Sequence, residues 1–181
     1  MVTKIGLAGE LRSGKDTVAD YLRDVYDFRK FCFAEGVYTL SEMIYPEAFE
    51  GGKKPRAILQ KVGAHLRKLD PNVWINVCLN QIKKSRNDRV VVTDIRYPNE
   101  AERLTAEGYT LIRVNCPVQT RIERAQATGE VFKPEDLTHE SETLVKSLTV
   151  HHDIDNDGTL AELYEKIDKV IDSIIRSGGV R

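Results

Sequence analysis

The sequence predicts an α/β fold: a parallel sheet of about five strands with helices on both faces, three layers in all. Three observations lead there. A short apolar run, Lys4-Ile5-Gly6-Leu7-Ala8, enters a loop from Gly9 to Gly14, and Val18, Leu22 and Val25 then recur at helical spacing. The β-branched run Arg89-Val90-Val91-Val92-Thr93-Asp94 reads as a strand covered on both faces, as in a parallel sheet. From there strand-like and helix-like segments alternate down the chain, with right-handed crossovers expected.

Taken in order, the first helix should end near Tyr26-Asp27, and Phe28 to Ala34, with Phe31, Cys32 and Phe33 in succession, reads as a second strand. Glu35 to Ile44 is weakly helical, and Pro46 to Pro55, with Gly51-Gly52, is a loop. Ala57 to Leu69 places Ile58, Leu59, Val62 and Leu66 on one helix face, and Pro71 is suited to open the next helix. Residues 35–85 thus form a helical insertion between two strand–helix units. Pro98 starts a helix ending at Gly108, Tyr109 to Val114 is a strand, and Pro117 opens a helix bearing Arg121 and Arg124 on one face. The polar stretch around Pro134, residues 128–143, reads as a lid. Thr149 to Ile154 is the last strand, with His151 and His152 on opposite faces. A turn at Asp155 to Gly158, capped by Thr159, leads to an amphipathic helix through Leu160, Leu163, Ile167, Val170, Ile171 and Ile174.

With 181 residues, 41% hydrophobic and 30% charged, the chain suits a single domain over residues 1–181 with a sizeable core. Its net charge of −1 argues against a nucleic acid or an acidic membrane surface as partner. No apolar run approaches ~18 residues, so no membrane span is expected. No basic leader or cleavage site precedes the first strand. Cys32, Cys78 and Cys116, odd in number and far apart, read as reduced thiols of a cytoplasmic protein.

Gly9 and Gly14, four residues apart and followed by Lys15, meet the spacing of a phosphate-binding P-loop. A glycine-rich turn lets main-chain N–H groups point at phosphate oxygens, and the positive end of the following helix adds to the pull. Lys15 supplies a mobile charge for the outer phosphates. The hydroxyl residue that normally follows this lysine and touches Mg²⁺ is here Asp16, with Thr17 after it. A carboxylate is also a hard-cation ligand, and beside a triphosphate it makes sense with a metal between. Asp94, at the end of its strand, occupies the second metal-side position, and Arg96 follows two residues on. An Asp94–Arg96 structural ion pair is the plain alternative.

No Asn-Lys-x-Asp guanine signature is present, and motor or transport ATPases are longer, which leaves a small kinase. Gly9-Glu10-Leu11-Arg12-Ser13-Gly14-Lys15-Asp16-Thr17 and Val91-Val92-Thr93-Asp94-Ile95-Arg96-Tyr97-Pro98-Asn99-Glu100 resemble the phage-type deoxynucleoside monophosphate kinases. So do Leu59 to Gly63 leading to Asp70-Pro71-Asn72-Val73-Trp74, the stretch His139-Glu140-Ser141-Glu142, and Asn156-Asp157-Gly158-Thr159-Leu160, all in collinear order. The resemblance implies ATP with Mg²⁺ as donor and a small-molecule nucleoside monophosphate, deoxy by preference, as acceptor. Animal phosphomevalonate kinases are distantly similar in loop and lid, so another small phosphate ester is the alternative, and a non-catalytic ATP-binding module a third.

The resulting assignments put Gly9, Arg12, Ser13, Gly14, Lys15, Asp16 and Thr17 on the nucleotide, with Asn156 and Gly158 at the adenine edge by resemblance. Asp16 and Asp94 serve the metal, Asp94 alternatively positioning the acceptor. Arg96 and Arg67 clamp the acceptor phosphate, with Arg56, Trp74 and Glu100 as further acceptor residues, although Trp74 reads more readily as core than as a platform for the base. Arg121 and Arg124 resemble lid arginines that steady the transferring group. His139, with Glu140 and Glu142, reads as an anchor of the lid. Oligomeric state is left open, a homodimer included.

Overall fold

The computed structural model describes residues 2–127 and 140–176. Two compact units emerge, Met1–Lys30 with Asn87–Arg181, and Phe31–Arg86.

The first unit is built on the parallel sheet. Strands β1 (Thr3–Ala8), β2 (Arg29–Phe31), β3 (Arg89–Ile95), β4 (Thr110–Asn115) and β5 (His152–Asp155) lie in the order β2-β3-β1-β4-β5. The strand carrying the glycine loop is therefore central, as a doubly wound sheet requires for a ligand at its C-terminal edge. Ile5 and Leu7 face one side, where α1 (Lys15–Tyr26) and the C-terminal helix Leu160–Arg176 cover them with Val18, Leu22, Leu163, Ile167 and Ile171. Gly6, between them in sequence, faces the other side. A Cβ there would lie 2.5 Å from Ile95 Cδ1 and 2.7 Å from Leu111 Cδ2, so its hydrogen is what lets α5 (Pro98–Ala106) bring Leu104 down onto the sheet. Along β1 and β3 the register slips by one: Gly6 pairs with Val92 but Ala8 with Ile95. The extra residue falls beside Asp94.

Several boundaries differ from expectation. The second strand stops at Phe31, because Phe33, Gly36, Val37 and Ser41 are buried at helical spacing and start α2 (Phe33–Ile44) early. Residues Pro46–Gly52 form 3₁₀ turns broken by a kink at Glu50 and Gly51 rather than a plain loop. Pro71 does not begin the next helix. The Asp70 carboxylate first accepts Asn72 N–H at 2.8 Å in a turn, and α4 starts at Val73 (Val73–Ser85). The last strand starts at His152, not Thr149. His151 precedes it, its Nδ1 accepting from Leu111 N–H at 2.9 Å while its own N–H donates to Leu111 O. The two histidines are thus not a strand pair.

The second unit holds α2, the 3₁₀ turn, α3 (Arg56–Leu69) and α4. Gly36 lets α2 approach α4, with Trp74 Cε3 3.1 Å from where its Cβ would be. Trp74 is 3% exposed and donates its indole N–H to Gly63 O at 3.1 Å, fastening α4 to α3. Among the described residues no helix is long and apolar enough to cross a membrane.

Candidate functional site

The loop from Gly9 to Gly14 leaves the C-terminal end of central β1 and runs into α1. Gly14 caps that helix at φ +100°, a left-handed conformation glycine tolerates without penalty. Val18 N–H makes the first helical bond, to Gly14 O at 3.0 Å. The amides of Lys15, Asp16 and Thr17 therefore stand outside the helical ladder, where an anion can take them.

The rest of the loop is tied down by side chains from across the first unit. Lys15 Nζ folds back onto Gly9 O and Glu10 O, both at 2.8 Å. Asn156, 5% exposed, donates its amide to Ser13 O at 2.8 Å and accepts from Arg124 at 3.2 Å, and that amide occupies the space a Cβ on Gly14 would need. Arg124 also donates to Asn156 O and to the Cys116 sulfur, each at 3.3 Å. Ser13 is fully buried, and its Oγ has no hydrogen-bond partner among the described residues.

Burial holds the Lys15 ammonium down to a pKa of about 8; Arg96 lowers it further, while Glu142, Asp16 and Asp94 pull the other way. These groups accordingly share one electrostatic environment. Arg96 Nη1 pairs with Glu142 Oε1 at 3.2 Å. The same carboxylate accepts Leu11 N–H through Oε2 at 2.5 Å, and that oxygen is 3.8 Å from Arg121 Nη1.

The structure thus gathers Gly9, Arg12, Ser13, Gly14, Lys15, Asp16 and Thr17 at one place, brings Asp94 and Arg96 into the field of Lys15, and sets Asn156 and Arg124 against the end of the loop. Arg121 is placed otherwise than a charge on offer to a nucleotide. It is 1% exposed, paired with Glu10 at 2.8 Å and donating to Leu11 O at 3.3 Å, so it braces the loop from behind. Glu100, 4% exposed, accepts the N–H groups of Arg96 and Tyr97 at 2.8 and 3.0 Å and caps α5. Gly158 leaves room for the Glu162 carboxylate, which accepts Thr159 N–H at 2.7 Å at the next helix start. In the second unit, Arg56 begins α3 and is exposed, while Arg67 is partly buried with Nη1 3.7 Å from the Cβ position of Gly63. Eleven residues apart, they share a helix face but stand about 16 Å apart along it. Trp74 is core. Of the lid, residues 128–139 with His139 lie outside the described residues, and the helix Glu140–Ser147 follows. Sequence reasoning passed over Glu10, and only as a lid anchor did it single out Glu142.

Asp16 and Asp94 are the candidate metal carboxylates. Among the described residues no group of three or more His, Cys, Asp or Glu is placed to hold a metal. Mg²⁺ is usually held by one or two carboxylates, with waters and substrate phosphates completing its shell.

The chain is similar to several known proteins. The protein named "Putative deoxynucleotide monophosphate kinase" of Acanthamoeba polyphaga mimivirus is 28% identical, covering 93% of this chain and 96% of that one. The uncharacterized protein ORF77 of Ictalurid herpesvirus 1 (strain Auburn) is 27% identical over 91% of this chain and 68% of its own length. The shikimate kinase structure from Acinetobacter baumannii, in complex with shikimate, superposes with a TM-score of 0.60 at 17% identity, covering 98% of this chain and 95% of that one, and shows the shared fold. The family model described as "AAA domain" matches residues 5–145. With its glycine loop at the edge of the parallel sheet, the chain belongs to that family of P-loop proteins.

Proposed function

We propose that the protein is a small-molecule kinase that transfers the γ-phosphoryl group of ATP to a nucleoside monophosphate, a deoxynucleotide by preference, and acts in the cytoplasm. The observation that carries the reading is the shared field of Lys15, Arg96, Asp16 and Asp94 at the mouth of the loop. Two cations there match an outer phosphoryl group whose charge spreads in the transition state, and two carboxylates match a divalent cation riding on the phosphates. When bound, Mg²⁺ supplies charge neutralisation between the phosphate oxygens, with Asp16 and Asp94 to hold it. An acceptor phosphate is already ionised at neutral pH, so the transfer needs no strong general base. Lys15 orients the donor, and Arg96 is suited to the group in transit or to the acceptor phosphate. The collinear motifs and the name of the mimivirus relative support the nucleotide acceptor.

The test is a coupled ADP-release assay with ATP and Mg²⁺ across the deoxynucleoside and nucleoside monophosphates and phosphomevalonate. Release with a deoxynucleoside monophosphate is the expected result. Release only with phosphomevalonate reassigns the acceptor, and ATP binding without release on any acceptor makes the protein a nucleotide-binding module.

A further inference from the structure

Glu142 presents a buried carboxylate to the phosphate loop. It comes from the helix that directly follows residues 128–139, and it is 3% exposed. An anion in a pocket meant for phosphate is costly unless it is itself held by cations and donors. Glu142 is so held. Oε2 accepts the Leu11 amide of the phosphate loop, Oε1 pairs with Arg96 at 3.2 Å, and Arg121 stands at 3.8 Å. One turn on, Lys146 of the same helix reaches Glu10 at 3.4 Å. A single helix therefore touches two successive loop residues and the arginine beyond β3.

We infer that Glu142 is a positioning residue: its carboxylate fixes Arg96 opposite Lys15, so that the outermost phosphoryl group of a bound nucleoside triphosphate meets a preformed pair of cations. Arg96 and Lys15 carry like charges, so each disfavours the approach of the other. Lys15 is held by Gly9 O and Glu10 O, both at 2.8 Å, so the arginine is the side chain that this repulsion would turn toward water. The carboxylate between arginine and loop removes that freedom before any ligand binds, which is how preorganisation strengthens binding and transfer. Because the same carboxylate also holds the Leu11 amide, the phosphate loop, Arg96 and the helix Glu140–Ser147 keep one relative placement.

The inference deepens the kinase reading and rests on it for its mechanistic meaning, but its test needs no acceptor. ATP and ADP dissociation constants are measured with Mg²⁺ by titration calorimetry for the full chain, E142Q, E142D, R96A and the R96A/E142Q double variant. E142Q keeps the shape and loses the charge, and its preference for ATP over ADP should fall roughly tenfold, the worth of a charge-assisted hydrogen bond. E142D should fall between, R96A should fall about as far as E142Q, and the double variant no further than R96A. Should E142Q lose its cooperative melt, E142D carries the measurement. An unchanged ratio in the folded variant, or losses that multiply in the double variant, overturns the inference. So does a gain in affinity for ATP and ADP alike, which would make the carboxylate a plug on the loop. A wild-type chain that turns over no acceptor overturns the kinase reading instead, and leaves the ratio to decide this one.

Discussion

The side-chain amide of Asn156 donates to the main-chain carbonyl of Ser13 at 2.8 Å, joining residues 143 positions apart. Through that bond the turn after β5 holds the last corner of the phosphate loop. Its other face accepts from Arg124, so the arginine and the loop are set by one amide. Gly14→Ala would drive a methyl group into Asn156 while forcing a side chain onto φ +100°. A cost of about 1–3 kcal/mol in urea unfolding is expected, with weaker ATP binding. Asn156→Ala should weaken ATP binding without the backbone penalty. Equal unfolding free energies for Gly14→Ala and wild type would contradict the packing argument.

Nucleotide binding should take up a proton at mildly alkaline pH. In the free protein burial sets the Lys15 pKa at about 8, so at pH 8.5 the lysine is mostly neutral. A bound triphosphate favours the charged form and raises that value. Calorimetry in two buffers of different ionisation enthalpy should show uptake of roughly half a proton or more at pH 8.5, and none from this group at pH 6.5. Lys15→Met should abolish it. For folding, the unfolded lysine, with its ordinary value of 10.5, binds more protons than the folded one. This residue's contribution therefore makes the fold more stable as pH rises from about 8 to 10.5.

Arg121 and Arg124, one helical turn apart, should fail differently. Arg121→Ala leaves Glu10 with only the exposed Lys146 as its ion-pair partner among the described residues and takes one cation from Glu142, so thermal and urea unfolding should show a loss of about 3–5 kcal/mol. Arg124→Ala should melt within about 4 °C of wild type yet lower kcat by ~10³ or more, if it steadies the transferring group. A change confined to KM would speak against that role.

Asp16→Ala should raise the Mg²⁺ concentration for half-maximal turnover by about ten- to a hundredfold, as loss of a metal-orienting carboxylate does. Asp94→Asn should do the same. A Mg²⁺ titration of Asp16→Ala that overlays the wild-type curve would remove this residue from the metal site.

The glycine loop, the central strand and the order of alternation were legible because each is local: spacing, period and turn residues lie within a few positions of one another. What the sequence hid are contacts made across the fold. Glu10 and Arg121 are 111 residues apart, and nothing in either neighbourhood announces a buried pair. Arg121 looks like any helix-surface arginine until β1 and the loop close over it. Phe33 misled for a different reason. A run of three apolar residues fits strand or buried helix, and only the burial of Gly36, Val37 and Ser41 beyond it decides.

The slipped register between β1 and β3 has a consequence for how this family member can vary. Gly6 to Ala8 spans two steps and Val92 to Ile95 three, yet both ends stay paired. Side chains on a strand alternate, so the odd step is what lets Ile95 pack beside Gly6 while Asp94 keeps its own heading. The aim of that carboxylate is a matter of parity. Losing one residue from β3 reverses it, while losing two preserves it at the expense of reach.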